Sequence, residues 1–310
     1  MISLKRILWR LLAGLGVLWG AATLTFIAIN ITAGDTALAI VGGPDAMPTA
    51  EVLAQVRREY GLDDPLLTQY GNYIARLAQG DLGESYRLRI PVLKAVTQQL
   101  GATVQLALSA GVLSIVLSVL IALLTARRAP WIRSVVSGVE LTVTSAPSFV
   151  IGILLLLLFS FYFHWFPPSG SQGWRALVLP TIALALPVVG VLTQVLRQEL
   201  EDVLEQPFIL TARARGMSDA GVRLRHALRH ALVPLVTLSG FVFASLLGGA
   251  VVVELLFARQ GVGRLMLDAA SSKDVPIVLG ITLLAAFIYV IVNIVVDILY
   301  SLIDPRVRAT

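Results

Sequence analysis

The run Ala95–Ala126, AVTQQLGATVQLALSAGVLSIVLSVLIALLTA, contains no aspartate, glutamate, lysine or arginine. A helix needs about 20 mostly apolar residues to cross the hydrocarbon core of a bilayer, and this run exceeds that length. Further charge-free intervals lie on both sides of it: Leu11–Gly34, Leu141–Trp174, Ala176–Leu196, His230–Val253 and Val275–Val296. Leu141–Trp174 has room for a helix and a loop, with His164-Trp165-Phe166-Pro167-Pro168 marking the helix end. Its centre, Val150–Phe163, is apolar on every side, as lipid-facing or fully buried helices are. The spacing predicts an all-α membrane protein with six transmembrane helices.

Composition points the same way. Of 310 residues 57% are hydrophobic and 14% charged, with mean hydropathy +0.83, whereas a soluble domain carries about 25% charged residues. So few charges cannot cover a water-exposed surface. The absence of cysteine excludes a disulfide framework, a thiolate metal site and a cysteine nucleophile. Lys5, Arg6 and Arg10 precede the first apolar run, and Ala37-Leu38-Ala39 is faintly like a cleavage site. A signal-peptide core spans only about 7–15 residues, so the reading is an uncleaved first helix.

Arginine density sets orientation, because cytoplasmic loops collect lysine and arginine. With the N-terminus inside, the inner segments hold Lys5, Arg6 and Arg10, then Arg127, Arg128 and Arg133. They also hold Arg197, Arg213, Arg215, Arg223, Arg225 and Arg229, and finally Arg306 and Arg308. Both termini are predicted cytoplasmic. The division expected is a tail and first helix over 1–34, an outer helical insertion over 35–94, and a core over 95–310 with helices two to six and the inner loop 198–229.

The outer insertion has its own signals. Thr49 is a potential N-cap, Val52, Leu53, Val56 and Tyr60 follow at helical spacing, and Gly61 ends that helix. Asp63-Asp64-Pro65 opens a second helix, and Gly80-Asp81-Leu82-Gly83 is a turn. Such a cap is either a lid on its own bundle or a docking surface for an external partner. In the inner loop, Glu199, Glu201, Asp202 and Glu205 cluster first. A short helix from Phe208 to Arg215 follows, bounded by Pro207 and Gly216, with Phe208, Ile209 and Met217 expected to be exposed. Ser218 or Asp219 then caps a second helix, expected to lie along the membrane surface with its arginines toward lipid phosphates or protein. A short helix carried on a loop suits insertion into another protein's groove; the alternative is an ordinary positively charged loop.

Polar residues inside the apolar runs are the remaining candidates. Glu254 interrupts the fifth run near its outer end, reading as a structural hydrogen bond or a gating or pathway role. Asn293 and Asp297, four apart in the sixth, read as an interhelical contact or a solute or ion contact. Thr103, Ala107, Ala110, Ser114, Ser118 and Thr125 form a small, weakly polar stripe on helix two, and Gly240, Ala244 and Gly248 one on helix five. Such stripes allow close packing and would also line a path, for which Ser114 and Ser118 are candidates. His226 and His230 stand four apart, but Ala227 occupies the position where zinc-peptidase chemistry wants glutamate. No metal site, no catalytic cluster and no nucleic-acid binding is expected.

Several segments, in order and spacing, resemble the permease subunits of bacterial ATP-binding-cassette (ABC) importers for dipeptides, oligopeptides and nickel. They are Gly61-Leu62-Asp63-Asp64-Pro65-Leu66 with Gln69-Tyr70, Gly80-Asp81-Leu82-Gly83-Glu84-Ser85, and Pro147-Ser148-Phe149. Thr211-Ala212-Arg213-Ala214-Arg215-Gly216 and Arg225-His226-Ala227-Leu228-Arg229 with Pro234 follow. Glu254, Phe257, Gly261-Val262-Gly263-Arg264, Asp274, Pro276, Asn293, Asp297 and Asp304-Pro305-Arg306 complete the set. The resemblance implies the type I ABC importer permease fold and a place in the bacterial inner membrane. It implies a complex with a second homologous permease, two ATPase subunits and an extracytoplasmic solute-binding protein, all in membrane lipid. It makes the inner loop an ATPase-coupling loop, with Phe208, Thr211, Ala212, Arg213, Ala214, Gly216 and Met217 as its contact residues. The chain has no Gly-x-x-x-x-Gly-Lys-[Ser/Thr] phosphate loop, so ATP and magnesium belong to the partner subunits and this chain binds no cofactor of its own. Peptides are the implied solute, with nickel or a metal–opine chelate as the alternative. A stand-alone secondary transporter is the rival reading, although inverted repeats or charged midplane residues typical of that class are not evident. A membrane enzyme would need a nucleophile–base pair that the sequence does not offer.

Overall fold

A break at Ala146-Pro147 divides what reads as a single apolar span. In the computed structural model, which describes residues 4–32, 36–41 and 47–303, the helices on the two sides of that break, Pro130–Ser145 and Ser148–Tyr162, are bent by 103°. Proline lacks the N–H that would continue the ladder and forces its predecessor out of helical geometry. The predicted span Leu141–Trp174 is therefore corrected: its first residues belong to the preceding helix, and its apolar helix runs from Ser148.

In chain order the helices are α1 (Leu4–Thr32), α2 (Thr36–Val41), α3 (Ala50–Glu59), α4 (Leu66–Ala78), α5 (Val92–Thr125), α6 (Pro130–Ser145) and α7 (Ser148–Leu155). Then come α8 (Arg175–Leu204), α9 (Pro207–Ala214), α10 (Asp219–Gly221), α11 (Leu228–Leu256), α12 (Val262–Ser271) and α13 (Val275–Ile303). π-helical turns continue α7 over Leu156–Tyr162 and join α10 to α11 over Val222–Ala227. No strand occurs among the described residues. By length and apolarity Val92–Thr125, Arg175–Leu204 and Val275–Val296 can each cross a bilayer, and the bent pair Pro130–Ser145 and Ser148–Tyr162 makes a fourth if it is one broken span rather than a re-entrant loop. Leu12–Ala28 and Ala244–Leu256 are shorter apolar stretches. Six spans are thus not all established among the described residues. Residues 304–310, with Asp304, Pro305, Arg306 and Arg308, lie outside them.

The chain divides into two compact units. One comprises Ala102–Arg259 and α13 from Ile291. Its core is built from α5, α7, α8 and α11 through Leu106, Leu179, Leu184, Leu192, Leu246 and Phe257. Glycines set the close crossings. A Cβ on Gly190 of α8 would sit 2.2 Å from the Thr144 hydroxyl of α6, and one on Gly152 of α7 would sit 2.5 Å from Leu256 of α11. On α11 the residue pressed against a neighbour is Gly249, 2.7 Å from Leu184 by the same measure. Ala244 and Gly248 are exposed, so the helix-five stripe is not the face that packs within this unit; the side chain of Gly240 lies outside the described residues. The helix-two stripe is buried along its length, from Thr103 to Thr125.

The other unit comprises Ser3–Gly101 and Gln260–Val290. Thr49 caps α3, accepting from the Val52 N–H at 3.4 Å, and Gly61 ends it at φ +62°. The Gln69 amide donates to the carbonyls of Leu62 (2.9 Å) and Asp64 (2.8 Å), which fixes the α3–α4 turn. The Thr23 hydroxyl of α1 meets that of Tyr70 at 2.6 Å, and Phe26 packs on the rings of Tyr70 and Tyr73. Asp274, buried before α13, accepts from the Ser85 hydroxyl and from the N–H groups of Tyr86 and Arg87 at 3.2 Å each. The segment between α1 and α5 is thereby folded onto its own chain, while Leu66 and Leu67 of α4 remain exposed. Both readings of the cap keep support: anchored on one side, open on the other.

Candidate coupling site

The short inner helix forms as the flanking residues require. Pro207 sits at the first position of α9, where its missing N–H costs nothing. Gly216 follows at φ +81°, the left-handed region that ends a helix cheaply only for glycine. Phe208 is 41% exposed and Leu210 64% exposed. Ile209, expected to be exposed, is fully buried, and Met217 is half-buried. The reason is periodicity: Ile209 and Ala212 stand three apart on one face of α9, and that face joins Ala122, Ala126, Leu200, Leu204 and Val222 in an apolar cluster. Leu210, which the sequence reading did not single out, takes the outward position. Beside it Phe208, Thr211, Ala212, Arg215, Gly216, Met217 and His226 line a groove of about 570 Å³, and the Phe208 ring packs at a 52° tilt against His230 with ring centroids 5.3 Å apart.

The segment after α9 is not a separate surface helix. Ser218 caps α10, accepting from the Gly221 N–H at 3.3 Å, and the helical path continues from Asp219 to Leu256 without interruption. An uninterrupted apolar cluster under Val222, Ala227 and Ala231 holds this stretch in line with α11. Its arginines are partly consumed by the protein. Arg223 donates to Asp219 at 2.7 Å and to the carbonyls of Leu123 (3.1 Å) and Ala126 (2.8 Å), and Arg213 of α9 donates to the same Asp219 at 3.1 Å. Hydrogen bonding from Arg223 holds the Asp219 carboxyl below its usual range, despite an opposing contribution from burial. Its contribution to stability is therefore present above the ordinary carboxylate pKa and lost as pH falls through the depressed value.

The acidic cluster also has partners. The Arg127 guanidinium reaches Glu205 at 2.6 Å, its N–H reaches Glu201 at 3.2 Å, and Arg133 lies 3.8 Å from Glu201. Deeper, Arg197 forks onto both oxygens of buried Glu140 at 2.8 Å and also reaches Ser137 at 3.1 Å, locking α8 to α6. The sequence reading placed Arg197 among loop charges and passed over Glu140; their separation along the chain hides the pairing.

Of the candidate pathway residues, Ser114, Ser118 and Glu254 are buried. Ser114 donates to Ala110 at 2.7 Å and Ala185 at 3.3 Å, and Ser118 to Ile115 at 3.0 Å. Glu254 is fully buried, accepts from the Thr103 hydroxyl at 2.5 Å, and lies close enough to offset the charge of Arg259, which is fully buried too. Arg259 donates to the Ala176 carbonyl at 3.5 Å; the sequence reading gave it no role. Asn293 is half-buried, and the side chain of Asp297 lies outside the described residues.

Comparison with known proteins fits this architecture. The family described as binding-protein-dependent transport system inner membrane component matches residues 82–309. A Brucella abortus (strain 2308) protein named for a peptide transport system permease is 39% identical over 311 aligned residues, covering 97% of this chain and 98% of that one. The glutathione transport system permease protein GsiC of Salmonella choleraesuis (strain SC-B67) is 35% identical over 306, covering 98% and 99%. Among solved structures, a chain from inward-facing conformations of the MetNI methionine ABC transporter superposes with a TM-score of 0.55 at 16% identity. That match covers 67% of this chain and 95% of that one and establishes a shared fold. The chain belongs to the family of binding-protein-dependent transport system inner membrane components.

Proposed function

We propose that this chain is one permease subunit of an ABC importer that carries peptides across the bacterial inner membrane. The observation that carries the reading is the near end-to-end likeness to relatives named for peptide and glutathione transport. The inner helix α9, with its outward Phe208 and Leu210, supports the same reading as a docking element for an ATPase subunit. A second homologous permease completes the pathway, two ATPase subunits bind ATP and magnesium, and an extracytoplasmic binding protein delivers the solute. The chain itself is non-catalytic. Replacing the phosphate-loop lysine of the partner ATPases is expected to abolish peptide uptake with this subunit intact. ATP-independent uptake at an undiminished rate would instead favour a secondary transporter.

Six spans are proposed, α1 and α11 crossing along with the four longer segments, and both termini are cytoplasmic. A reporter active only in the cytoplasm is expected to work when fused after Arg133 or Arg215 and to fail after Arg76. Activity after Arg76 would reverse the topology. In this reading Glu254 is a structural residue, and its burial beside Arg259 and Thr103 supports that role over a gating or pathway role.

A further inference from the structure

Asp219 is the point where three elements meet. One carboxylate oxygen accepts from Arg213 of α9, and the other from Arg223. The same Arg223 guanidinium reaches the carbonyls of Leu123 and Ala126. These lie at the inner end of α5, where helix carbonyls lack partners within the helix and the macrodipole presents its negative pole. Beneath this polar chain, Ile209 and Ala212 of α9 share an apolar cluster with Ala122 and Ala126. Helix α9 therefore holds the end of α5 twice, once by packing and once through Asp219.

We propose that Asp219 and Arg223 are positioning residues that transmit displacement of α9 to the inner end of α5. This rests on the reading of α9 as the ATPase-docking helix. The chemistry favours transmission over simple stabilisation. Asp219 is mostly exposed, and exposed ion pairs add little to folding stability. Arg223 by contrast is 13% exposed and planar, with its donors in a fixed fork. A shift of the carboxylate must turn the guanidinium, and a turn of the guanidinium pulls on two carbonyls of α5. A lysine has one ammonium and cannot reach the carboxylate and both carbonyls together.

The absence of cysteine makes the test direct. Leu124, exposed near the inner end of α5, is replaced by cysteine and carries an environment-sensitive label in the assembled complex. In the Asp219→Ala variant the ATPase subunits are expected to copurify at the unaltered level. The nucleotide-dependent change at the label is expected to vanish, and peptide moved per ATP hydrolysed to fall by about tenfold, within the usual range of coupling between sites. Arg223→Lys is expected to fall between Asp219→Ala and the parent. An unchanged label response and transport ratio in Asp219→Ala would overturn the proposal, as would loss of ATPase copurification, which would make Asp219 a docking or folding residue. Failure of the underlying reading looks different: Leu210→Asp would then keep the ATPase bound, whatever Asp219 does.

Discussion

Leu210→Asp is expected to strip the ATPase subunits from the complex while the chain still inserts in the membrane. Leu210 is 64% exposed and outside every buried apolar cluster, so a charge there costs the isolated chain little; surface changes of this kind stay within about 0.5 kcal/mol. An apolar residue at the centre of a docking surface behaves differently. Its loss costs about 2 kcal/mol or more of binding, roughly thirtyfold in Kd. Copurification of ATPase with peptide uptake is the measurement. Wild-type levels of both would remove α9 as a docking helix and return the loop to the status of a positively charged anchor. Ala212→Glu is a poorer probe than its place in the motif suggests. Ala212 is 8% exposed and faces the chain's own cluster, so a carboxylate there acts through the fold as well as through docking. Gly216→Val carries the separate penalty of a left-handed backbone, about 1–2 kcal/mol.

The second large effect is expected at Glu254. Glu254→Ala removes the acceptor of Thr103 and the carboxylate whose field offsets buried Arg259. Breaking a buried charge pair by deleting one member costs about 3–5 kcal/mol, enough to lower the amount of chain in the membrane and its thermal midpoint in detergent. Combining Glu254→Leu with Arg259→Met removes the stranded charge, and replacing a whole buried pair by apolar groups is often close to neutral. The double variant is therefore expected to be more stable than Glu254→Ala. If it is less stable, the two residues do not offset one another and Glu254 acts through other contacts.

The three long apolar spans Val92–Thr125, Arg175–Leu204 and Val275–Val296 were legible because charge-free length is a one-dimensional property. The caps were legible for a similar reason: Thr49, Gly61, Pro207 and Gly216 act on their immediate neighbours. Burial within α9 was harder. Phe208, Ile209 and Leu210 are consecutive and all apolar, and only the position of the rest of the chain decides that Ile209 turns inward. Pairings between distant residues were not legible at all. Glu140 with Arg197, Arg127 with Glu205, and Arg223 with the end of α5 join residues 57, 78 and about 100 positions apart, and nothing local marks them. The positive-inside pattern counts arginines without separating those that face water from those that hold the fold. Asp219 illustrates the cost: placed just beyond a helix end it reads as a bland cap, whereas its two oxygens serve two different arginines.

The unbroken helical path from Asp219 to Leu256 makes this part of the chain a torsion bar. At about 1.5 Å per residue it is long enough to carry a twist from the arginine-rich turn at Arg223 to the neighbourhood of Glu254. Its compliance is concentrated at two places. The wide π turn over Val222–Ala227 can absorb rotation by redistributing one residue per turn, and Pro234 leaves one carbonyl without its helical donor. Everything outward of Pro234 turns as one piece. A torque applied beside Arg223 would pass those two soft joints before reaching the far end, so the stiffness of this single helix sets how much of a twist at Arg223 is felt beside Glu254.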